Sequence, residues 1–125
     1  MEKNKNRPVD LKLYKIRLPV GALVSILHRV TGALLVLLLP FALYTLQRTL
    51  QDPAAYADIV ARLSTPTGRL VRLIIVWVFA QHFFSGVRHL LQDVGLGVEK
   101  AAARRGAWLI FIASGLVTLL TGVYL

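Results

Sequence analysis

The chain has 125 residues, of which 56% are hydrophobic and 17% charged, and its formal net charge is +9. A water-soluble domain of this size must clothe its surface in polar groups, so the composition excludes an ordinary soluble globule and points to the bilayer. Cysteine is absent, which excludes disulfides, cysteine-ligated zinc and cysteine-ligated iron–sulfur clusters within the chain.

A net charge this positive is also a mark of nucleic-acid binding. Here, however, the basic residues flank three long apolar runs instead of gathering on one polar face. Membrane topology accounts for them, and membrane lipid, not nucleic acid, is the expected surrounding.

In chain order, residues 1–19 form a basic segment. Lys3, Lys5, Arg7, Lys12, Lys15 and Arg17 stand against Glu2 and Asp10. Leu11, Leu13, Ile16 and Leu18 alternate loosely with charge, a pattern suited to lying on the membrane surface. No apolar signal region precedes residue 19, and the acidic residues speak against a transit peptide, so the mature chain is expected to begin near Met1.

A first transmembrane helix is expected over 20–46. It is entered at Pro19, where the missing N–H is harmless, and Pro40 is expected to kink or loosen it. Residues 47–67 are expected to be a loop, punctuated by Pro53 and Pro66. A second helix is expected over 68–91, a loop over 92–105 and a third helix over 106–125. About 20 residues at 1.5 Å each cross a hydrocarbon core of about 30 Å.

The fold class expected is thus all-α, an integral membrane protein with three transmembrane helices. Lysine and arginine number six in the first segment and three in the 92–105 loop (Lys100, Arg104, Arg105). The opposite side has three, Arg48, Arg62 and Arg69. The positive-inside rule then puts the N-terminus in the cytoplasm and the C-terminus outside. On the third helix Ser114, Thr118, Thr121 and Gly122 make a small-residue stripe suited to close helix packing.

Ionisable groups at membrane depth are costly and mark function. Ser25, His28 and Arg29 share one face of the first helix, at offsets of three and four. His82, Ser85, Gly86, His89 and Asp93 form a stripe on the second, with Arg88 beside it. The first helix leaves the cytoplasmic side and the second returns to it, so the two groups approach the same face. His82 lies about 10 Å deeper than His89.

A neutral imidazole deep in a span suits axial ligation of haem iron, and equally suits an interhelical hydrogen bond. Gly86 would admit a flat macrocycle. His28, Arg29, Arg88 and His89 suit anionic haem propionates. Ser25 and Arg29 suit a quinone carbonyl. Against these stand snorkelling of Arg29 and Arg88 to the interface, a hydroxyl-to-backbone bond for Ser25, and an Arg88 pair or a loop start for Asp93.

Three segments carry a resemblance. They are Arg7-Pro8-Val9-Asp10-Leu11, then Ser25-Ile26-Leu27-His28-Arg29-Val30-Thr31-Gly32, then His82-x3-Gly86-x-Arg88-His89-x3-Asp93. Together they resemble the cytochrome b subunit of succinate dehydrogenase, in the right order and over nearly the whole chain.

The resemblance implies one haem b held in a hetero-oligomeric helix bundle, shared with a small companion membrane anchor subunit. His82 would be this chain's axial ligand, and the companion would supply the second histidine. It implies a ubiquinone pocket at Ser25 and Arg29, and propionate contacts at His28 and Arg29, with help from Arg88 and His89. It further implies an iron–sulfur subunit, a flavoprotein subunit that oxidises succinate, and a bacterial inner-membrane location with a periplasmic C-terminus. Two other classes fit the bare pattern: a non-enzymatic membrane protein such as a transporter subunit or assembly factor, and a homo-oligomeric haem protein. The lack of any Asp or Glu deep in a span weakens the transporter.

Overall fold

In a computed structural model, residues 18–124 are described. The basic segment with its Arg7–Leu11 motif lies outside the described residues, as does Leu125. Four helices follow one another: α1 (Val20–Gln51), α2 (Pro53–Ser64), α3 (Pro66–Asp93) and α4 (Lys100–Tyr124). Of these, α1, α3 and α4 are long and apolar enough to cross a membrane. The protein is an all-helical integral membrane protein. Its central element is α3, which packs on α1 along one side and on α4 along another.

Each helix start has a local cause. The Pro19 carbonyl accepts from the amides of Ala22 at 2.9 Å and Leu23 at 3.3 Å, opening α1. α1 then runs through Pro40 to Gln51 as one helix. The stretch 47–67, expected as a loop, instead contains α2. Asp52-Pro53 and Thr65-Pro66 look like chain breakers in sequence, yet each is a side-chain cap followed by a proline at the first helical position. Asp52 Oδ1 accepts from the Ala54 amide at 2.9 Å, and Thr65 Oγ1 from the Gly68 amide at 3.1 Å. Proline is well placed there because its missing N–H is one that no helix bond would use.

α2 turns Ala55, Ile59 and Leu63 inward against α1 and α3, and leaves Tyr56 and the Arg62–Asp58 ion pair (2.8 Å) outside. A second boundary also differs. Lys100, Arg104 and Arg105, expected in a loop, sit in the opening turns of α4, where the alanine run Ala101–Ala103 favours helix. The α3–α4 turn is made by Gly95 and Gly97, both at positive φ. The Leu96 amide there closes back on the Leu91 carbonyl at 2.8 Å.

Burial is inverted relative to a soluble protein. Among the described residues, Gln81, Ser85 and Ser114 are fully buried and Thr31 is 1% exposed, whereas Val36, Leu37 and Phe41 stand about two-thirds exposed. That outward apolar coat suits lipid or the helices of another membrane chain, not water. The apolar core is small: Val24, Ala107 and Ile110, with Val20, Phe84 and Phe111 around them, where α1, α3 and α4 meet.

Deeper in, α3 and α4 are joined by polar bonds. Ser114 Oγ donates to Gln81 Oε1 at 2.8 Å, and Gln81 Nε2 donates to Ser85 Oγ at 3.4 Å. An amide left unpaired in hydrocarbon costs several kcal/mol, so this set strongly favours one rotation of α3 against α4. Two members of the α4 stripe do meet α3: Ser114 through this bond, and Gly122 against the Leu73 side chain.

The α2–α3 corner depends on Gly68. A Cβ at that position would run into the Arg62 carbonyl oxygen and into Leu63 Cα at 2.7 Å. Main chain cannot yield as a side-chain tip can. Gly68→Ala is therefore expected to destabilise the fold by about 1–3 kcal/mol, read as a lowered melting temperature of the purified protein in detergent. An unchanged melting temperature would show that the corner is not so tight.

Candidate functional site

The two histidine-bearing groups meet where α1 crosses α3. His28 and His82 lie face to face, with ring centroids 4.3 Å apart and planes within 7° of parallel. His89, two turns further along α3, is 4.9 Å from the same His28 ring at a 35° tilt. The imidazole from α1 thus sits between the two from α3. The three rings form one column running along the interface toward the end of the bundle that holds the α3–α4 turn.

His82 is the most constrained of the three. Its Nδ1 lies 3.1 Å from the His28 carbonyl oxygen and 3.4 Å from Thr31 Oγ1. A carbonyl can only accept, so Nδ1 carries a proton, and in the neutral ring Nε2 then keeps its in-plane lone pair. Stacking with His28 covers one face of the ring. Among the described residues Nε2 has no hydrogen-bond partner. The ring can lie this close to α1 because Gly32 has no side chain: a Cβ there would be 2.9 Å from His82 Cε1 and 3.3 Å from Nδ1. His89 is tied differently, its Nδ1 2.6 Å from the Ser85 carbonyl of its own helix.

The remaining candidate residues divide. Ser25 and Arg29 lie one turn apart on α1, displaced by roughly 60° and 100° around the helix from His28. They flank the imidazole column instead of joining it. Arg29 is exposed and Ser25 is half-buried. Thr31, Thr45, Ser64, Thr118 and Thr121 each bond a carbonyl one turn back. Ser25 makes no such bond among the described residues, so its hydroxyl stays available.

Arg88 is not brought to the column. It projects between α4 and the start of α1, donating to the Ala103 carbonyl at 3.3 Å and packing over Gly21 and Gly106. Its Nε is buried without a partner among the described residues. Asp93 ends α3, exposed, and pairs with no described cation. Gly86, expected to leave room for a flat ring system, has the His28 imidazole against it, with Nε2 3.4 Å from where a Cβ would stand.

Thr31, Gly32 and Gln81 carry structural weight that the residue pattern did not assign. The first two follow His28 and Arg29 after one intervening residue, Val30. Gln81 adjoins His82, and a lone amide in mid-span was itself a signal that a partner helix must answer it.

As a donor set the column is specific. No three His, Asp or Glu side chains among the described residues converge on one point. A metal bound here would meet at most two side chains of this kind among the described residues and would need further ligands from outside them. The tautomer held at His82 is the one that such ligation needs.

Comparison with known proteins accords with this geometry. Residues 3–121 match the family model described as succinate dehydrogenase/fumarate reductase transmembrane subunit. The chain is 31% identical to the succinate dehydrogenase cytochrome b556 subunit of Coxiella burnetii, over 98% of each chain. It is 29% identical to that of Paracoccus denitrificans, over 93% of this chain and 89% of the relative. A succinate dehydrogenase hydrophobic membrane anchor subunit of Archaeoglobus fulgidus is 28% identical over 65% of this chain and 69% of its own. With a three-span helical fold, a histidine column between its first two spans and a family match along almost its whole length, the chain belongs to the succinate dehydrogenase/fumarate reductase transmembrane subunits.

Proposed function

We propose that this membrane subunit anchors a succinate dehydrogenase, binds haem b through His82 and helps form the site where ubiquinone is reduced. The observation that carries the haem assignment is the state of His82. Its Nδ1 is committed to the His28 carbonyl at 3.1 Å, Gly32 admits its ring, and Nε2 is left to donate. When bound, haem supplies a one-electron redox centre beside the quinone site. A companion membrane anchor would bring the second axial histidine.

His28, His89 and Arg29 lie toward the bundle end where propionates would meet cationic or N–H donors. Arg88 is better read as a pin between α1, α3 and α4, given its bond to Ala103. Ser25 and Arg29 present their polar groups on the neighbouring face of α1. There the Ser25 hydroxyl would orient a quinone carbonyl. The Arg29 guanidinium would stabilise the negative charge that builds on the quinone oxygen as electrons arrive. The chain has no cysteine, so the iron–sulfur clusters that deliver those electrons belong to a partner. Succinate oxidation belongs to a flavoprotein.

Three expectations follow for the assembled complex. Ser25→Ala and Arg29→Leu should each lower quinone reduction by tenfold or more, on the order of 1.4 kcal/mol or more of lost stabilisation. Succinate oxidation with an artificial electron acceptor should survive. Unchanged quinone turnover counts against both assignments.

His82→Leu should abolish or alter the reduced low-spin b-type absorption, and Gly32→Ala, by crowding the same ring, should weaken it. An intact spectrum in the His82 variant puts the ligand elsewhere.

The lysine and arginine distribution favours an N-terminus in the cytoplasm and a C-terminus in the periplasm of a bacterial inner membrane. A reporter enzyme active only in the periplasm should therefore work when fused after the last residue of α4. Activity only as an N-terminal fusion would reverse the orientation.

A further inference from the structure

The segment that carries His28 and Arg29 continues into Thr31, to which neither haem ligation nor quinone binding assigns a task. Thr31 is 1% exposed, at the contact of α1 with α3. Its hydroxyl hydrogen has a nearby acceptor in the Leu27 carbonyl, 2.7 Å away on the preceding turn, with the His28 carbonyl at 3.1 Å. With its proton used on its own helix, Thr31 Oγ1 keeps lone pairs for a second partner. The group it faces is His82 Nδ1, at 3.4 Å. Two acceptors, the His28 carbonyl and the Thr31 hydroxyl, therefore converge on one imidazole N–H.

We infer that Thr31 is a positioning residue for the haem ligand: by accepting from His82 Nδ1–H it holds the ring in its metal-binding tautomer and raises the electron donation of Nε2. This inference rests on the assignment of His82 as axial ligand. The physical basis is general. Drawing the proton of a ligating imidazole toward an acceptor makes the opposite nitrogen more basic, and a stronger donor favours the oxidised metal. The His28 carbonyl is main chain and cannot be varied by substitution. Thr31 is the acceptor that substitution can remove.

The test is a redox titration of the haem in the assembled four-subunit complex. Thr31→Val keeps the shape of the side chain and deletes the acceptor, so the haem midpoint potential should move upward while the low-spin b-type band persists. Thr31→Ser restores a hydroxyl and should titrate as the unaltered complex does. Should Thr31→Val fail to retain haem, Thr31→Ala removes the hydroxyl without placing a methyl in its stead, and the same upward shift is expected.

A potential unmoved by loss of the hydroxyl, or moved equally by Thr31→Ser, overturns the inference. His82→Leu separates the two levels. If it loses the band while the Thr31 variants titrate normally, only the role of Thr31 falls. If it keeps the band, the ligand assignment itself is wrong.

Discussion

The contact on which the rest of the molecule depends is the one between His82 Nδ1 and the His28 carbonyl of another helix. A helical carbonyl spends one lone pair on its own ladder and has a second to offer. In hydrocarbon, with no water to compete, that offer is what a buried imidazole needs. The bond joins α1 to α3, aligns the His28 ring on the His82 ring and selects which nitrogen carries the proton. Gly32 allows it sterically. On the other side of α3 the Gln81–Ser114 pair does for α4 what this bond does for α1. The central helix is thus held from two sides by polar groups, because lipid supplies no hydrophobic force that would choose one apolar packing over another.

This explains why polar residues lie inside the bundle and large apolar ones outside. Each interhelical hydrogen bond is modest, about 0.6 kcal/mol on average. The alternative for each buried group is a far larger penalty, so the polar groups specify geometry more than they add stability. Ser25 and Arg29 are the exception in the half of the bundle that holds the α3–α4 turn. Among the described residues Ser25 is the α1 serine or threonine without a helix bond, and Arg29 is exposed. That availability is what the proposed quinone role of these two residues draws on.

Much of this was legible in the residues. Three apolar runs of membrane-crossing length mark the spans, and imidazoles on the first two mark where those two meet. The His28–His82–His89 column forms because α1 starts and α3 ends at the same end of the bundle.

What was not legible has physical reasons. Pro53 and Pro66 were read as breaks because proline ends helices as readily as it begins them. Only the caps from Asp52 and Thr65 decide between those outcomes. α4 starts at Lys100, ahead of the expected 106, because Lys100–Arg105 is a good helix former although its charge suggests a loop. Arg88 and His89 adjoin in sequence, but about 100° per residue sends one toward α4 and the other toward α1. Gly86 and Gly32 are alike as letters. Which of them admits the His82 ring follows from a crossing point that no single-helix pattern contains.

α2 has a consequence for the opposite end of the molecule. It connects α1 to α3 by single-residue joints, each fastened by a side-chain cap and a proline, with Gly68 pressed against the corner. A slack connection would let one span slide along the other by a helical turn, about 5.4 Å. That is more than the spacing between neighbouring imidazoles in the column. The short strap denies that freedom, so the vertical alignment of the histidines near one membrane surface is gauged from beyond the other.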